Sequence, residues 1–262
     1  MTLDLSPAEI GKVTSARRAL EFVQPDMKLG LGTGSTAAWL VKLLAHEVRE
    51  NGLKVSACAT SSATTELAES LGITIHALDD LGQLDLAIDG ADEFDPQFNL
   101  IKGGGAALLQ EKIVETAADK LVIITDASKQ VKHLGAFALP VEVVKFSWAT
   151  TQRLVEDVLA SQDVDNRVVT RRGGDNPVIT DEGHYILDLQ LDRIGDSGQV
   201  SDALLNIAGV VETGLFLDMA DAIVMGDANG IASVLDKASN DNNWVDTKID
   251  WANAVNSLEG SQ

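Results

Sequence analysis

The strongest constraint on this chain is an alternation that runs through its first half. Short apolar stretches that suit strands are followed by turns of small residues and then by stretches with helical spacing. "MKLGLGTGSTAAWLVKLLAHEV" reads as strand, Gly-rich turn and helix, and "LKVSACATSSATTELAESLG" repeats the plan with a Ser/Thr turn and a helix ending at Gly72. "ITIHAL" and "LDLAIDGAD" read as further strands, "GGGAALLQEKIVETAA" as a helix from about Ala106, and "KLVIITDAS" as the next strand. Ahead of them, residues 8–23 place Ile10, Val13, Ala16 and Leu20 on one helical face. Strands that alternate with helices point to an α/β fold with a mostly parallel, doubly wound sheet.

The pattern changes after "LGAFALPVEVVKFSW". A helix is expected over 148–160, then strands joined by turns at Gly173–Asn176 and Asp181–Gly183, then a helix in "SDALLNIAG" capped by Ser201. This order predicts a small α+β domain over 140–212. "ADAIVMGDANGI" returns to the apolar-strand style, so the small domain reads as an insertion into a larger one formed by 1–139 and 213–237. The acidic tail, 238–262, reads either as a surface arm docked by Trp244 and Trp251 or as a disordered segment.

Charge narrows the function classes. With a formal charge of −20 and a pI near 4.4, the surface repels nucleic acid and anionic membranes. A phosphate site on such a surface must be built locally, from backbone amides and a few lysines. We take the acidity as a sign of a salt-rich environment, where screening weakens self-repulsion; folding and activity indifferent to salt removal would sink that hypothesis. The single cysteine, Cys58, rules out an intrachain disulfide framework. "MTLDLSPAEIGK" lacks the basic start and apolar core of a signal peptide, and no apolar run reaches the ~18–20 residues that span a bilayer. The expectation is a cytoplasmic protein.

Several turns carry chemistry. "GLGTGST" (30–36) lies between a strand and a helix but is neither a Walker A loop nor a full dinucleotide fingerprint, since Ser35 stands at the third glycine. It reads as a phosphate cradle of backbone amides with the hydroxyls of Thr33, Ser35 and Thr36, or as a tight turn plus helix cap. "TSSATTE" (60–66) reads as a cap from Thr60, Ser61 or Ser62, or as a ligand loop at a strand end. In "IDGADEFDPQFNLIKGGG" (88–105), Asp89 and Asp92 bracket a Gly90–Ala91 turn, and Lys102 precedes Gly103, Gly104 and Gly105. Three glycines let a ligand approach the backbone, and a lysine beside them suits an oxyanion that forms during reaction. Asp95–Pro96 reads as a turn.

Glu111 falls on a helix that is apolar on nearly all sides, which predicts a partly desolvated carboxylate able to accept a proton at neutral pH; the competing reading is a surface Glu beside Lys112 and Glu115. "TDASKQV" ends a strand with Lys129. The four histidines, His46, His76, His133 and His184, form no ligand-spaced pair, which argues against a transition-metal site.

Taken together, "GLGTGSTA", "DGADE", "IKGGGAALLQEKI", "ADKLVIITDASKQV" and "LPVEVV" resemble ribose-5-phosphate isomerases of the A type, in their order and spacing, over about residues 8–235. The resemblance implies a Rossmann-like domain with a small α+β, ferredoxin-like domain, no metal or organic cofactor, a phosphorylated pentose as substrate, and a homodimer or tetramer. It implies Glu111 as the base that moves a proton between C2 and C1, Asp89 as the acid for ring opening and oxygen-bound protons, and Asp92 in the same turn with Gly90 and Ala91. It further implies Lys102 and the Gly103–Gly105 backbone as stabilisers of an enediolate, and Thr33, Gly34, Ser35 and Thr36 as the substrate loop. Lys12 and Lys129 fall near the phosphate end, and Ser61 and Ser62 border the site. Two other classes stay open at this point: a non-catalytic sugar-phosphate sensor, and an acyl-CoA transferase of related architecture in which a Glu attacks a thioester.

Overall fold

The computed structural model describes residues 5–239 and 243–259. Its first helix, α1 (Pro7–Ala19), starts at Ser6, whose hydroxyl accepts the Glu9 amide, with a proline where no amide donor is needed. There follow β1 (Lys28–Leu31), α2 (Ser35–Glu50), β2 (Ser56–Ala59), α3 (Ser62–Ser70), the short α4 (Leu78–Leu81) and β3 (Leu86–Gly90). Next come β4 (Glu93–Phe94), β5 (Leu100–Ile101), α5 (Leu108–Thr116), β6 (Leu121–Asp126) and β7 (Leu139–Val143). The chain continues through α6 (Trp148–Leu159), β8 (Val168–Arg171), β9 (Tyr185–Gln190), α7 (Ser197–Leu205), β10 (Val210–Thr213) and β11 (Leu215–Phe216). It closes with β12 (Ala222–Gly226), β13 (Ile231–Asp236), β14 (Val245–Lys248) and α8 (Trp251–Glu259). Among the described residues no helix is long and apolar enough to cross a membrane.

Two compact units emerge, one from residues 5–90, 113–129, 220–239 and 243–259, the other from 91–112 and 130–219. The first holds a seven-stranded sheet in the order β14-β13-β12-β6-β3-β1-β2. Its β12, β6, β3, β1 and β2 run parallel, while β13 and β14 extend it antiparallel. The parallel strands are buried on both faces, which explains their nearly continuous apolar runs. Leu29, Leu31, Ile88, Val122, Ile124 and Val224 pack with Val13 of α1 and Leu40 and Leu44 of α2. Because the chain goes from β1 to β2 and then returns to place β3 on the other side of β1, the sheet has a switch point between β1 and β3, where α/β sheets bind ligands.

The described part of the 238–262 tail belongs to this unit. β14 adds to the sheet edge, Trp251 packs against the core, and α8 buries Ala254 and Val255. Trp244 is half-buried. Residues 240–242 and 260–262 of that tail, and 1–4 of the first segment, lie outside the described residues. "ITIHAL" makes only a single bridge, Ala57 with Ile75, instead of a strand.

The second unit carries a four-stranded antiparallel sheet in the order β10-β7-β9-β8, with α6 and α7 contributing Val155, Leu159, Val200 and Leu204 to its core. The order of elements, β-α-β-β-α-β, is the split βαβ arrangement. This unit is larger than the 140–212 segment read from the sequence. β11 pairs with β5 and β5 with β4 in a separate sheet, and the Glu93 carboxylate accepts the amides of Gly135 at 2.7 Å and Phe137 at 2.5 Å. Those bonds tie 91–112 and 130–139 to it. The cap of α7 is Asp196, which accepts the Gln199 amide, and not Ser201, which lies inside the helix and is buried.

Candidate active site

In the first unit the groups of interest gather at the carboxyl ends of β1, β2 and β3. Asp89 is 1% exposed, and its Oδ1 accepts the Thr33 amide at 2.9 Å and the Gly90 amide at 2.6 Å. The approach explains Gly32: a Cβ there would lie 2.0 Å from Asp89 Oδ1 and 2.5 Å from its Cα. The Thr33 hydroxyl joins Thr60 at 2.8 Å and donates to Ser61 at 2.7 Å, and Thr64 donates to the Gly32 carbonyl at 3.0 Å. These bonds lock the loop after β1 to the loop after β2. Ser61 also caps α3 by accepting the Thr64 amide, and Ser62 is exposed at the first residue of that helix.

The start of α2 is different. Gly34 takes φ +104° as its N-cap and supplies no side-chain cap, and Gly34 and Ser35 are exposed with Thr36 half-buried. The first turn of this 16-residue helix therefore has no side-chain cap, the setting that favours an anion. Lys12 pairs with Glu9 at 2.7 Å, and the other Glu9 oxygen accepts the Trp39 indole at 2.7 Å. The Lys12 hydrogen bond is the main reason the Glu9 carboxyl lies below the usual range. Lys129 is half-buried and ends a 3₁₀ turn, Ala127–Lys129.

In the second unit Lys102 and Glu111 form a buried pair, with Nζ 3.5 Å from Oε2 and side chains 3% and 5% exposed. The Lys102 amide donates to the Gly214 carbonyl at 2.9 Å, and its ammonium stands 5.3 Å from the centre of the Phe216 ring. Lys112 packs on the same ring at 4.6 Å and bonds Glu212 and the Thr213 and Leu215 carbonyls. The surface reading of Glu111 is thereby set aside. So is the expectation of a helix buried all round: Ile113 is 51% exposed, while Glu111 and Glu115 are buried. Lys102 supplies a reason for a carboxylate to turn inward where an isoleucine does not.

The three glycines form a turn of their own. Gly103 has φ +103° and Ala106 φ +60°, a left-handed residue that a helix cannot include, so α5 starts at Leu108 and not near Ala106. A Cβ on Gly103 would lie 2.8 Å from Leu108, and one on Gly104 2.7 Å from the Asp92 carboxylate. Asp92 Oδ2 accepts the Gly104 amide at 2.7 Å. Gly104 and Gly105 are exposed and Ala91 and Asp92 half-buried. Asp95 accepts the amides of Gln97 and Asn99, so it closes a turn.

Each unit thus assembles its own share of the expected residues: Thr33–Thr36, Ser61, Ser62, Asp89 and Gly90 in the first, and Ala91, Asp92, Lys102–Gly105 and Glu111 in the second. Sequence reasoning missed Thr64, Phe216 and Arg172, whose guanidinium reaches the Gly103 and Gly104 carbonyls. "TSSATTE" contained the signal for Thr64; nothing local marks the others.

A buried carboxylate with an ammonium at its side, preceded in sequence by exposed glycines on an α/β scaffold, is an arrangement suited to acid–base chemistry. Residues 56–230 match the family described as ribose 5-phosphate isomerase A (phosphoriboisomerase A). A ribose-5-phosphate isomerase A of Cereibacter sphaeroides is 58% identical over 240 residues, covering 91% of this chain and 92% of that one. The structure of ribose 5-phosphate isomerase A from Methanocaldococcus jannaschii superposes with a TM-score of 0.78 at 37% identity, over 86% of this chain and 98% of that one. A D-ribose-5-phosphate isomerase in complex with phospho-erythronic acid gives 0.80 at 36%, over 88% and 100%. The chain belongs to the ribose 5-phosphate isomerase A family, an aldose–ketose isomerase family. None of these relatives is named as a sensor or a transferase.

Proposed function

We propose that this protein interconverts D-ribose 5-phosphate and D-ribulose 5-phosphate through an enediolate, in the non-oxidative pentose phosphate pathway. The observation that carries the reading is the buried Lys102–Glu111 pair at 3.5 Å, whose members bracket the Gly103–Gly105 turn in sequence. Glu111 takes the proton from C2 of the open aldose. The C–H electron pair becomes the C1=C2 bond, and the carbonyl oxygen becomes an oxyanion. The O2 proton moves to O1, and Glu111 returns its proton to C1 as the C2 carbonyl forms. Lys102 and the glycine amides stabilise the oxyanion, which is where charge appears only during reaction. Asp89, aimed by two amides, serves ring opening and the oxygen-bound protons, with Asp92, Gly90 and Ala91 as substrate contacts.

The open start of α2 at Gly34, Ser35 and Thr36 suits the phosphate, with Lys12 and Lys129 as nearby cations and Thr33, Ser61 and Ser62 bordering the sugar. Binding the phosphate positions the reacting end. The reading requires neither metal nor organic cofactor. We further place the protein in the cytoplasm, as a homodimer or tetramer, with its one cysteine buried and reduced.

The test is a coupled assay for ribulose 5-phosphate in the presence of a chelator. Glu111→Gln is expected to keep substrate affinity and to lose about 10³-fold or more in kcat, the scale of a general base. A variant that keeps most of the rate removes Glu111 from the base role.

A further inference from the structure

Arg172 follows β8, and its amide is held by the Ile186 carbonyl of β9 at 2.9 Å. One edge of the guanidinium grips Asp188, with Nε 2.9 Å from Oδ2 and Nη2 2.5 Å from Oδ1. Asp188 lies in the middle of β9, opposite Pro140 of β7 and Thr170 of β8, so the carboxylate that aims the fork is anchored inside the small sheet. The remaining nitrogen, Nη1, donates to the Gly103 carbonyl at 2.9 Å and the Gly104 carbonyl at 3.1 Å. The two side chains of the ion pair are 17% and 18% exposed.

Peptide planarity turns that clamp into a statement about donors. Among the described residues every peptide bond is trans, so a carbonyl and the amide N–H that follows it point in opposite directions. Holding the Gly103 carbonyl sends the Gly104 N–H away from Arg172, and holding the Gly104 carbonyl sends the Gly105 N–H the same way. The bond from Gly104 N–H to the Asp92 carboxylate, 2.7 Å, marks the direction in which that amide meets an anionic oxygen. Two successive amides facing one side form an anion-binding concavity.

We propose that Arg172, through Asp188, is a positioning residue for the isomerisation: it fixes the glycine turn so that the Gly104 amide holds the Asp92 carboxylate and the Gly105 amide faces the negative oxygen of the intermediate. The chemistry rests on the function proposed above, whereas the geometry rests on hydrogen bonds inside one unit. Preorganised donors stabilise charge without reorganising at the moment of reaction, so loosening them costs transition-state binding more than substrate binding. Lysine cannot replace this arginine fully, since one ammonium cannot grip a carboxylate in a fork and span two carbonyls.

The test compares wild type, Arg172→Gln, Arg172→Lys and Asp188→Asn in the ribose 5-phosphate assay, with binding of phospho-erythronic acid measured alongside. The carboxylate of that acid puts negative oxygens at the end of the carbon chain. Arg172→Gln is expected to lower kcat about 10²-fold, the scale of a lost oxyanion donor, with KM within about threefold. Its affinity for phospho-erythronic acid should fall at least about tenfold, that for inorganic phosphate should not change, and Arg172→Lys and Asp188→Asn should lie between. A folded Arg172→Gln protein with kcat within about threefold of wild type overturns the proposal, as does a kcat loss with unchanged affinity for the acid. Should Arg172→Gln not fold, the other two variants are judged by the same criteria. Inactive wild type would refute the function and not the clamp, which hydrogen exchange reads separately: a Gly104 amide as protected in Arg172→Lys or Asp188→Asn as in wild type overturns the positioning role.

Discussion

Removing the Lys102 ammonium should expose how strongly the buried pair is coupled. At 3.5 Å, and with an effective dielectric of about 20, the attraction between the two charges is about 5 kcal/mol. Exposures of 3% and 5% leave little room for solvent to screen it. Desolvation consumes part of that attraction, and breaking such a pair from one side typically destabilises by about 3–5 kcal/mol. Lys102→Met leaves a buried carboxylate without that ammonium, and Glu111→Gln leaves a buried ammonium without that carboxylate. The double variant leaves neither charge. Each single variant is expected to lose about 3 kcal/mol or more at neutral pH, and the double variant to lose less than their sum by about 2–3 kcal/mol. Urea unfolding of all four proteins measures this directly. Losses that add within about 0.5 kcal/mol would refute the coupling.

Two further substitutions probe the two units separately. Gly32→Ala puts a methyl 2.0 Å from Asp89 Oδ1, and strand ends held by amide bonds cannot move aside freely; about 1–3 kcal/mol of stability and most of the isomerase activity should be lost. Full activity would show that the Asp89 carboxylate can be displaced without consequence. Glu142, fully buried on β7, has its carboxyl pushed up by burial, against hydrogen bonds from Thr180 and His184 and with the Glu182 charge adding to the rise. The folded state therefore keeps a proton that the unfolded chain releases earlier, and stability should fall as pH climbs from the ordinary Glu value through the raised one. Glu142→Gln should flatten that fall in a set of thermal melts across the weakly acidic range; an unchanged slope would place its origin elsewhere.

The parallel sheet was legible because each strand–turn–helix unit is a local pattern. Apolar runs, small-residue turns and helical spacing all fall within about twenty residues, and each is enforced by burial at that place. The same locality explains the misreadings. "ITIHAL" has the residues of a strand but gains only the Ala57–Ile75 bridge. Ser201 looked like a cap because "DALL" follows it, while Asp196 began the helix earlier with an equally good acceptor. The second unit reached beyond 140–212 because β5, paired with β4, finds β11 more than a hundred residues away, and pairing at that distance leaves no periodicity to read.

The candidate site divides along the same line. Gly103 and Gly104 were visible within a glycine run because close approach excludes a Cβ wherever the partner comes from, so glycine advertises the contact without naming it. Burial of Glu111 was visible only as a possibility, since the neighbouring Ile113 turned out to face solvent and hydrophobic periodicity alone would have rotated the helix the other way. What turns it is a charge, Lys102, nine residues earlier, and polar pairing overrides an apolar stripe when one bond removes a buried-charge penalty of several kcal/mol. Arg172 was illegible for the complementary reason. Its partners are backbone carbonyls 68 and 69 residues away, and a carbonyl has the same chemistry at every residue. A sequence can display which residues are strained or buried by their type, but a contact to the main chain is written only in the fold, which is why the Arg172 contacts emerge from the coordinates alone.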